Sequence, residues 1–379
     1  MGGKRRGFGH TPNGIVRQMT VPRSGEASSQ QAVPPTVEDE AFRARVDAAL
    51  ATFAHRKRAE LEAISPDLTT FADAAIDFIA GGKRLRPLFC RAGWLVGGGD
   101  TDLSAFDGAA ASLEWLQGSA LAHDDLMDGS DTRRGRPSLH RQFEGLHEKD
   151  GLLGSAERHG AAAAILLGDL MLSWVDEQFR DSGLPRLDDA LPWLDRCKTE
   201  VAAGQYLDVL AQARGNLDVD VAMRVVRYKS AKYTVERPMH IGAALAGADA
   251  DLIDALSAFA LPLGEAFQLR DDVLGVFGDP TVTGKPAGDD VREGKRTVLI
   301  ARAAALGNAE DRTQIEALLG TADGVDDLTA MIERTGALAA VESDIERLED
   351  EALAALRRLP RTAGLVLEPL VRSATRRER

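Results

Sequence analysis

The sequence is poor in cysteine and in aromatic residues. Only two of its 379 residues are cysteines, Cys90 and Cys197, and neither stands in a Cys-x-x-Cys motif. This excludes a disulfide framework and predicts two reduced core residues in a cytoplasmic protein. Aromatic residues make up 5% of the chain, whereas Ala, Leu, Glu, Asp and Arg recur throughout. Such a composition favours helices over sheets, so we expect an all-α protein.

Positive charge and long apolar runs are also scarce. The formal net charge is −13, which argues against generic binding to nucleic acids or anionic membranes. The run 161–175 is interrupted by Asp169 and is shorter than the roughly 20 residues that a membrane helix needs. The basic stretch Lys4-Arg5-Arg6 is not followed by the apolar segment of an export signal. We therefore expect no transmembrane segment and no nucleic-acid partner.

The composition divides the chain into a tail and a long helical region. Residues 1–35 are rich in Gly, Ser, Pro, Gln and Arg and have no apolar period, which predicts a disordered tail. From residue 36 onward, apolar residues recur at helical spacing without an internal repeat. We expect one all-helical domain over 36–375. Its predicted helices span 36–64, 66–80, 87–98, 104–128, 155–181, 188–214, 218–246, 250–277, 295–306, 310–320 and 324–358.

An acidic cluster closes the predicted helix 104–128. Helical spacing puts Asp124 and Asp128 one turn apart on one face, with Asp125 beside them. Crowded carboxylates repel one another unless cations neutralise them, and such oxygen ligands suit Mg²⁺ that also takes substrate phosphate. For the cluster alone, the alternative is a solvated acidic helix end.

A second acidic cluster, Asp271-Asp272, closes the predicted helix 250–277. Two Asp-rich helix ends in one helical domain can face each other across a cavity, as carboxylates do in helix-bundle metal sites. Around them in the sequence stand short basic clusters next to glycines or helix starts, which suit phosphate binding. Each is by itself more typical of solvated surface, but with two magnesium-type sites they indicate two diphosphates. These clusters are Lys83-Arg84-Leu85-Arg86, Arg133-Arg134, Lys229-Ser230, Lys285 and Lys295-Arg296.

In their order along the chain, these motifs resemble the trans-isoprenyl diphosphate synthases, most of all the bacterial geranylgeranyl type. The motifs are Gly-Gly-Lys-x-x-Arg-Pro, Asp-Asp-x-x-Asp followed by Arg-Arg-Gly, Lys-Ser, Phe-Gln-x-x-Asp-Asp, Gly-Lys and Gly-Lys-Arg-Thr. The resemblance runs from about residue 40 to about residue 370. It implies a single large helical bundle of the isoprenoid-synthase kind around a deep central cavity. It also implies a homodimeric, Mg²⁺-dependent prenyltransferase that condenses isopentenyl diphosphate with an allylic diphosphate.

The resemblance assigns roles to individual residues. Two Mg²⁺ would be held by Asp124, Asp125 and Asp128, and a third by Asp271 and Asp272. The allylic diphosphate would be bound by Arg133, Lys229 and Lys285, with Gln268 nearby and with Ser230 in place of the usual Thr. Of these, Lys229, Gln268 and Lys285 would act in catalysis. Isopentenyl diphosphate would be bound by Lys83, Arg86, Gln117 and Arg134, with Lys295 as a further pocket lysine. The released diphosphate would accept the proton, in preference to the alternative base His123.

One position departs from the family pattern. Gly275 stands where many members carry the third Asp of the second cluster. The resemblance therefore leaves the third ion with fewer carboxylates, unless Asp279 contributes one.

Small side chains precede the first Asp cluster and bear on product length. One helical turn is about 5.4 Å, roughly one isoprene unit, so a prenyl tail lying along this helix would be measured by its turns. Ser119 and Ala120 are small where short-product members usually carry an aromatic, while Leu116 and Leu113 would form the floor. Trp115 is expected to face the core. This predicts geranylgeranyl diphosphate, with the farnesyl or the twenty-five-carbon diphosphate as alternative products.

Two rival functions remain open. A class I terpene cyclase also ionises a prenyl diphosphate, but it carries an Asn-x-x-x-Ser-x-x-x-Glu motif that this chain lacks and does not need Lys83 or Arg86. A regulatory subunit of a heteromeric synthase would be expected to have lost its Asp clusters, whereas the first cluster here is complete.

Overall fold

The computed structural model of the protein describes residues 40–101, 103–278 and 288–375, with side chains described up to residue 372. Almost every ordered element in this part of the chain is a helix, which confirms the predicted all-α fold. The tail 1–35, residues 36–39 at the start of the first predicted helix, Asp279 and Lys285 lie outside the described residues.

The helices follow one another with short connections. In chain order they are α1 Glu40–Ile64, α2 Leu68–Ile79, α3 Leu85–Val96, α4 Ser104–Met127, α5 Leu139–Lys149, α6 Ala156–Asp181, α7 Leu187–Ala213, α8 Val219–Val225, a π-helix Val226–Glu236, α9 Arg237–Ala246, α10 Ala250–Phe277, α11 Asp289–Arg292, α12 Val298–Leu306, α13 Ala309–Leu318, α14 Val325–Arg334, α15 Ala337–Leu356 and α16 Arg361–Thr375. Strands β1 Thr132–Arg133 and β2 Arg136–Pro137 form an antiparallel hairpin between α4 and α5.

Two hydrophobic clusters hold the helices together, and α10 contributes to both. The larger is centred on Trp115 of α4 and Trp174 of α6, whose rings meet edge to face with centroids 4.9 Å apart. The smaller contains Val273 of α10 together with residues of α12, α14 and α15. Burying each such large side chain contributes about 1.5–3 kcal/mol to folding. The packing therefore fixes α4 and α10, the two helices that end in Asp clusters.

The π-helix lies very close to α7. A Cβ atom on Gly204 of α7 would come within 2.4 Å of the backbone nitrogen of Lys229, so only glycine permits this approach. In a π-helix the wider turn changes which side chains share a face, and such segments occur mostly at functional sites. Here the contact fixes the backbone that carries Lys229 and Ser230.

The structure differs from the predicted helices in six places. The segment 218–246 is not one α-helix but α8, the π-helix and α9, and 324–358 is divided into α14 and α15 at Gly336, whose φ is 80°. Helices α5, α11 and α16 and the hairpin were not predicted. Gly336 explains the division, because a left-handed residue ends an α-helix.

Among the described helices, α10 is the one long and apolar enough to cross a membrane by length and composition. Within its most apolar window, 56% is buried inside the protein, and it packs against the π-helix and α15. This is the environment of a core helix.

Candidate active site

A cavity of about 930 Å³ opens between α3, α4, α6, α7, the π-helix and α10. It brings together most of the residues that were predicted to bind substrate. Those that line it are Lys83, Arg86, Gln117, Arg133, Arg134, Lys229, Ser230 and Gln268, with Asp124 and Asp271 from the two Asp clusters. A smaller cavity of about 210 Å³ shares Asp124, Lys229, Ser230 and Gln268 with it and adds Asp272 and Lys295. Both Asp clusters therefore border one connected site.

Asp124 at the end of α4 is held by two side chains from other helices. Gln205 of α7 donates to its Oδ1 at 2.7 Å, and Nζ of Lys229 lies 3.3 Å from the same oxygen. Lys229 also donates to Asp208 of α7 at 2.7 Å. Burial raises the pKa of Asp124, but Lys229 and Lys295 outweigh burial and bring that pKa below its ordinary value. Asp124 is thus an anion that faces both cavities.

The other two carboxylates of the first cluster differ from Asp124. Burial, and then the neighbouring charge of Asp124, raise the pKa of Asp128 to about 6. Asp125 is almost fully buried, and Nε of Arg133 donates to its Oδ1 at 2.8 Å. Asp125 is not among the residues that line either cavity. In this structure it orients Arg133, which does line the larger one.

Asp272 of the second cluster lines the smaller cavity together with Asp124 of the first. Asp272 is buried and accepts a hydrogen bond from Nε2 of Gln268 at 2.8 Å. Burial, and then the charge of Asp290, raise the pKa of Asp272 well above its ordinary value. Lys295 lies between the clusters, with its Nζ 3.8 Å from Asp128 and 3.5 Å from Asp290, and it also pairs with Glu293. Burial disfavours its charge, but these carboxylates outweigh burial and raise the pKa of Lys295.

The donor set fits divalent cations that bind together with phosphate. Within the described ranges, no three His, Cys, Asp or Glu side chains are close enough to form a complete protein cage for a metal. Mg²⁺ usually takes only one or two carboxylates and completes its shell with water and substrate phosphate oxygens. The raised pKa values of Asp128 and Asp272 report crowded negative charge in a buried place, which divalent cations would neutralise.

A group of cations lies at another part of the larger cavity. Arg86 donates to Oγ1 of Thr234 at 2.9 Å, and its guanidinium stacks over the ring of Tyr233 at 4.0 Å. The hydroxyl of Tyr233 donates in turn to Gln117 at 2.9 Å. These contacts fix Arg86 and Gln117 through side chains of the π-helix. The neighbouring Arg84 is buried against Glu114, with Nη1 2.7 Å from its carboxylate, and so it anchors α3 to α4.

Arg134 occupies the tip of the hairpin in a strained conformation. Its φ is 53° and that of Gly135 is 72°, the pair of positive values that a tight two-residue hairpin turn requires. A non-glycine residue there costs about 1–2 kcal/mol. Its guanidinium donates to the carbonyl of Ala80 at 3.2 Å and lies against Gly82. The hairpin thus holds Arg134 beside Lys83 at the cavity wall.

The apolar part of the cavity is bordered by α4, α6 and α7. Leu116, Ser119 and Ala120 of α4 line it, together with Leu172 of α6 and Val201 of α7. Leu113, expected to form part of the floor, is fully buried and does not line the cavity. The expected core position of Trp115 is confirmed, because this residue is fully buried.

His123 makes contacts typical of a packing residue. Its Nε2 donates to the carbonyl of Ile165 at 3.2 Å, and its ring lies against Gly168 of α6. This ring nitrogen is therefore already engaged with the backbone of α6.

Sequence reasoning missed several residues of the site. Gln205 and Asp208 stand one turn apart on α7, and both face Lys229 or Asp124. Two polar residues at helical spacing in an otherwise mixed helix were the available signal. Tyr233, Thr234 and Asp290 also belong to the site, and their placement depends on the π-helix and on the connection after α10.

Comparison with known proteins agrees with this geometry. The family model for polyprenyl synthetase matches residues 69–335. The geranylfarnesyl diphosphate synthase of Aeropyrum pernix is 33% identical over 307 residues, 78% of this chain and 89% of that relative. The geranylgeranyl diphosphate synthase of Sulfolobus acidocaldarius is 30% identical over 262 residues, 68% of this chain and 74% of that relative.

A solved structure supports the same family as the sequence comparisons. The geranylgeranyl pyrophosphate synthase of Corynebacterium glutamicum, complexed with isoprenyl diphosphate and magnesium, is 40% identical, with a TM-score of 0.85 over 89% of this chain and 99% of that chain. The resemblance found in the motifs is thereby confirmed. The chain belongs to the polyprenyl synthetase family and is a trans-prenyltransferase of the isoprenyl diphosphate synthase type.

Proposed function

We propose that this enzyme condenses isopentenyl diphosphate with an allylic diphosphate in a Mg²⁺-dependent reaction, with geranylgeranyl diphosphate as the main product. The observation that carries the proposal is the position of Asp124 and Lys229. They border both cavities and lie 3.3 Å apart. An anion and a cation fixed side by side provide one group for metal ions and one for diphosphate oxygens.

The proposed metal ligands are the carboxylates of the two Asp clusters, Asp124, Asp125, Asp128, Asp271 and Asp272, for three Mg²⁺. Bound Mg²⁺ would neutralise the charge that develops on the leaving diphosphate. Asp124 and Asp271 are supported by their exposure to the larger cavity, and Asp272 by its exposure to the smaller one. Asp128 lines neither cavity and is supported by its position 3.8 Å from Nζ of Lys295. Asp125 is proposed as a ligand from the family resemblance, and in this structure it also orients Arg133 by a hydrogen bond.

Cationic and polar side chains of the protein would bind the two substrates. On the allylic diphosphate we propose Arg133, Lys229 and Gln268, with Ser230 next to Lys229, because all of them line the larger cavity. Lys285 is proposed for this role from the family resemblance and lies outside the described residues. Fixed cations stabilise the separating charge of the diphosphate without reorganising, which lowers the barrier to ionisation of the allylic C–O bond.

Isopentenyl diphosphate would be bound by Lys83, Arg86, Gln117 and Arg134. Stacking on Tyr233 and the bond to Thr234 hold Arg86 in one orientation, and the hairpin holds Arg134. Pre-oriented guanidinium groups bind phosphate oxygens with little loss of side-chain freedom. This second cationic group favours a two-substrate synthase over a terpene cyclase, which binds one diphosphate.

The product length is proposed from the small residues Ser119 and Ala120, which line the cavity with Leu116. The two relatives compared by sequence bear different product names, geranylfarnesyl and geranylgeranyl. Farnesyl diphosphate and the twenty-five-carbon diphosphate are therefore the alternative products.

We also propose a cytoplasmic homodimer. Exposed apolar side chains of Leu153, Ile165 and Leu166 support an interface with a second copy, and light scattering should give twice the mass of one chain.

The test is a turnover assay with purified protein, Mg²⁺, isopentenyl diphosphate and farnesyl diphosphate. We expect diphosphate release that requires isopentenyl diphosphate, stops with EDTA and yields a twenty-carbon product. Asp124→Asn should lower the rate about 10²–10³-fold, as loss of a charge-stabilising group does. Asp131→Asn is the control, because Asp131 pairs with Arg141 at the surface. Release without isopentenyl diphosphate would indicate a cyclase, and turnover only with an added partner would indicate a regulatory subunit.

A further inference from the structure

The second Asp cluster lacks a third carboxylate on its own helix, but another carboxylate occupies that place. A Cβ atom on Gly275 of α10 would come within 2.1 Å of Oδ2 of Asp290. The backbone also joins the two segments, because the amide of Gly288 donates to the carbonyl of Gly275 at 3.0 Å. The side chain of Asp290 therefore fills the space where a side chain at position 275 would begin.

Asp290 faces the same cavity as the Asp clusters. It lines the smaller cavity together with Asp124 and Asp272, and its side chain is 15% exposed. Nζ of Lys295 lies 3.5 Å from Asp290 and 3.8 Å from Asp128. One small cation thus already reaches a carboxylate of the first cluster and the carboxylate of Asp290. The negative charge of Asp290, its distance of 3.5 Å from Nζ of Lys295 and its exposure to the smaller cavity agree with a position beside a cation–diphosphate complex.

We propose that Asp290 is the third carboxylate of the second cluster and binds the cation–diphosphate complex, in place of the side chain that Gly275 lacks. This inference rests on the proposed function. It also agrees with glycine at position 275, because a larger residue there would have to displace the carboxylate of Asp290.

Binding of Mn²⁺ in the presence of inorganic diphosphate tests the proposal without turnover. Electron paramagnetic resonance counts the free ion as Mn²⁺ is added to the full-length protein. We expect Asp290→Asn to weaken the affinity for the last-bound Mn²⁺ about 10–100-fold, the size of effect found when groups around a metal site are removed. Asp289→Asn is the matched control. It changes the adjacent residue, which lines neither cavity, and should leave binding unchanged.

Moving the carboxylate from position 290 to position 275 tests the geometry of the proposed site. Gly275→Asp alone should weaken Mn²⁺ binding relative to the unmodified protein or disturb the fold, because the new side chain meets Asp290. Gly275→Asp combined with Asp290→Gly should restore Mn²⁺ affinity to within a few-fold of the original, since the carboxylate then comes from α10. Failure of this pair to bind better than Asp290→Gly alone would overturn the proposal.

Lys295 provides a further control, because Asp290 is its ion-pair partner. If Asp290 binds the complex directly, Asp290→Asn weakens Mn²⁺ binding in a Lys295→Met background as well. If the effect disappears there, Asp290 only positions Lys295 and the inference is wrong. Failure of the proposed function is distinguishable, since the unmodified protein would then bind no Mn²⁺ in a diphosphate-dependent manner.

Discussion

Nζ of Lys229 lies 3.3 Å from Oδ1 of Asp124 and joins the π-helix to the end of α4 across the site. Two features of α7 set this distance. Gly204 allows the π-helix backbone to approach, and Asp208 accepts a hydrogen bond from the same ammonium. The surrounding carboxylates, Asp124 first, outweigh burial and raise the pKa of Lys229, so this cation stays charged in a buried place. It is therefore oriented before any diphosphate binds.

Replacing this cation tests its part in the ionisation. Lys229→Met keeps the length of the side chain but removes its charge, and we expect the single-turnover rate of diphosphate release to fall about 10²-fold. The control is Lys232→Met on the same π-helix, because Lys232 pairs with Glu200 and Glu236 and lines neither cavity. A Lys229→Met protein that keeps its single-turnover rate would contradict the proposed role.

Arg134 links backbone strain to substrate binding. Arg134→Gly removes a non-glycine residue from φ 53°, so the melting temperature should stay the same or rise. Loss of the charged contact should raise the KM for isopentenyl diphosphate about 10–100-fold, equivalent to roughly 1.5–3 kcal/mol for a hydrogen bond to a charged group. Arg136→Ala on the next strand is the control, since Arg136 is exposed and lies outside the cavity. A lower melting temperature with unchanged KM would mean that Arg134 is purely structural.

The Asp clusters could be predicted because they close long apolar helices whose period is visible in the sequence. Helices α4 and α10 end at Met127 and Phe277, close to the predicted 128 and 277. The π-helix could not be predicted in this way. Its apolar pattern continues that of α8 and α9, and its wider turn depends on close packing against Gly204 of α7 and Gly264 of α10.

The sequence also did not show how deeply individual side chains are buried, or which residues distant in the chain come together. Helical spacing gives the side of α4 on which Leu113 lies, but surrounding packing decides whether that side is cavity or core. Leu113 proved to be core. Asp290 was missed because it follows a connection after α10, and only the folded chain brings its carboxylate to Gly275.

His240 predicts how stability depends on pH. It is buried beside Trp193, accepts a hydrogen bond from Arg237 at 3.0 Å and donates to Ser257 at 2.9 Å. Burial, and then the charges of Arg237, Lys232 and Arg196, lower its pKa from 6.5 to about 3. Between these values the unfolded chain binds a proton that the folded protein does not. The free energy of unfolding therefore falls as pH decreases from 6.5 towards 3.

Urea unfolding at pH 7 and pH 5 measures this contribution. The unmodified protein should lose about 2 kcal/mol more between these pH values than His240→Gln, from roughly 1.4 kcal/mol per pH unit within the window. Comparing the two proteins cancels the carboxylates that titrate in the same range. Equal losses in both would show that His240 is protonated in the folded state.

Ser119 tests whether α4 measures the product. Its side chain lines the cavity, whereas the adjacent face of α4 is closely packed, because a Cβ on Gly118 would lie 2.7 Å from both Ile79 and Met171. This packing limits any shift of α4, so we expect the ring in Ser119→Phe to enter the cavity. We expect the main product to shorten from twenty to fifteen carbons, about one isoprene unit, while the enzyme still condenses dimethylallyl and isopentenyl diphosphates. Ser119→Ala should keep the twenty-carbon product.

Chromatography of the dephosphorylated products measures the chain length in both variants. An unshortened product from a folded Ser119→Phe enzyme would mean that other residues limit the chain length. Leu172 and Val201, which also line the cavity, would then be the next side chains to change.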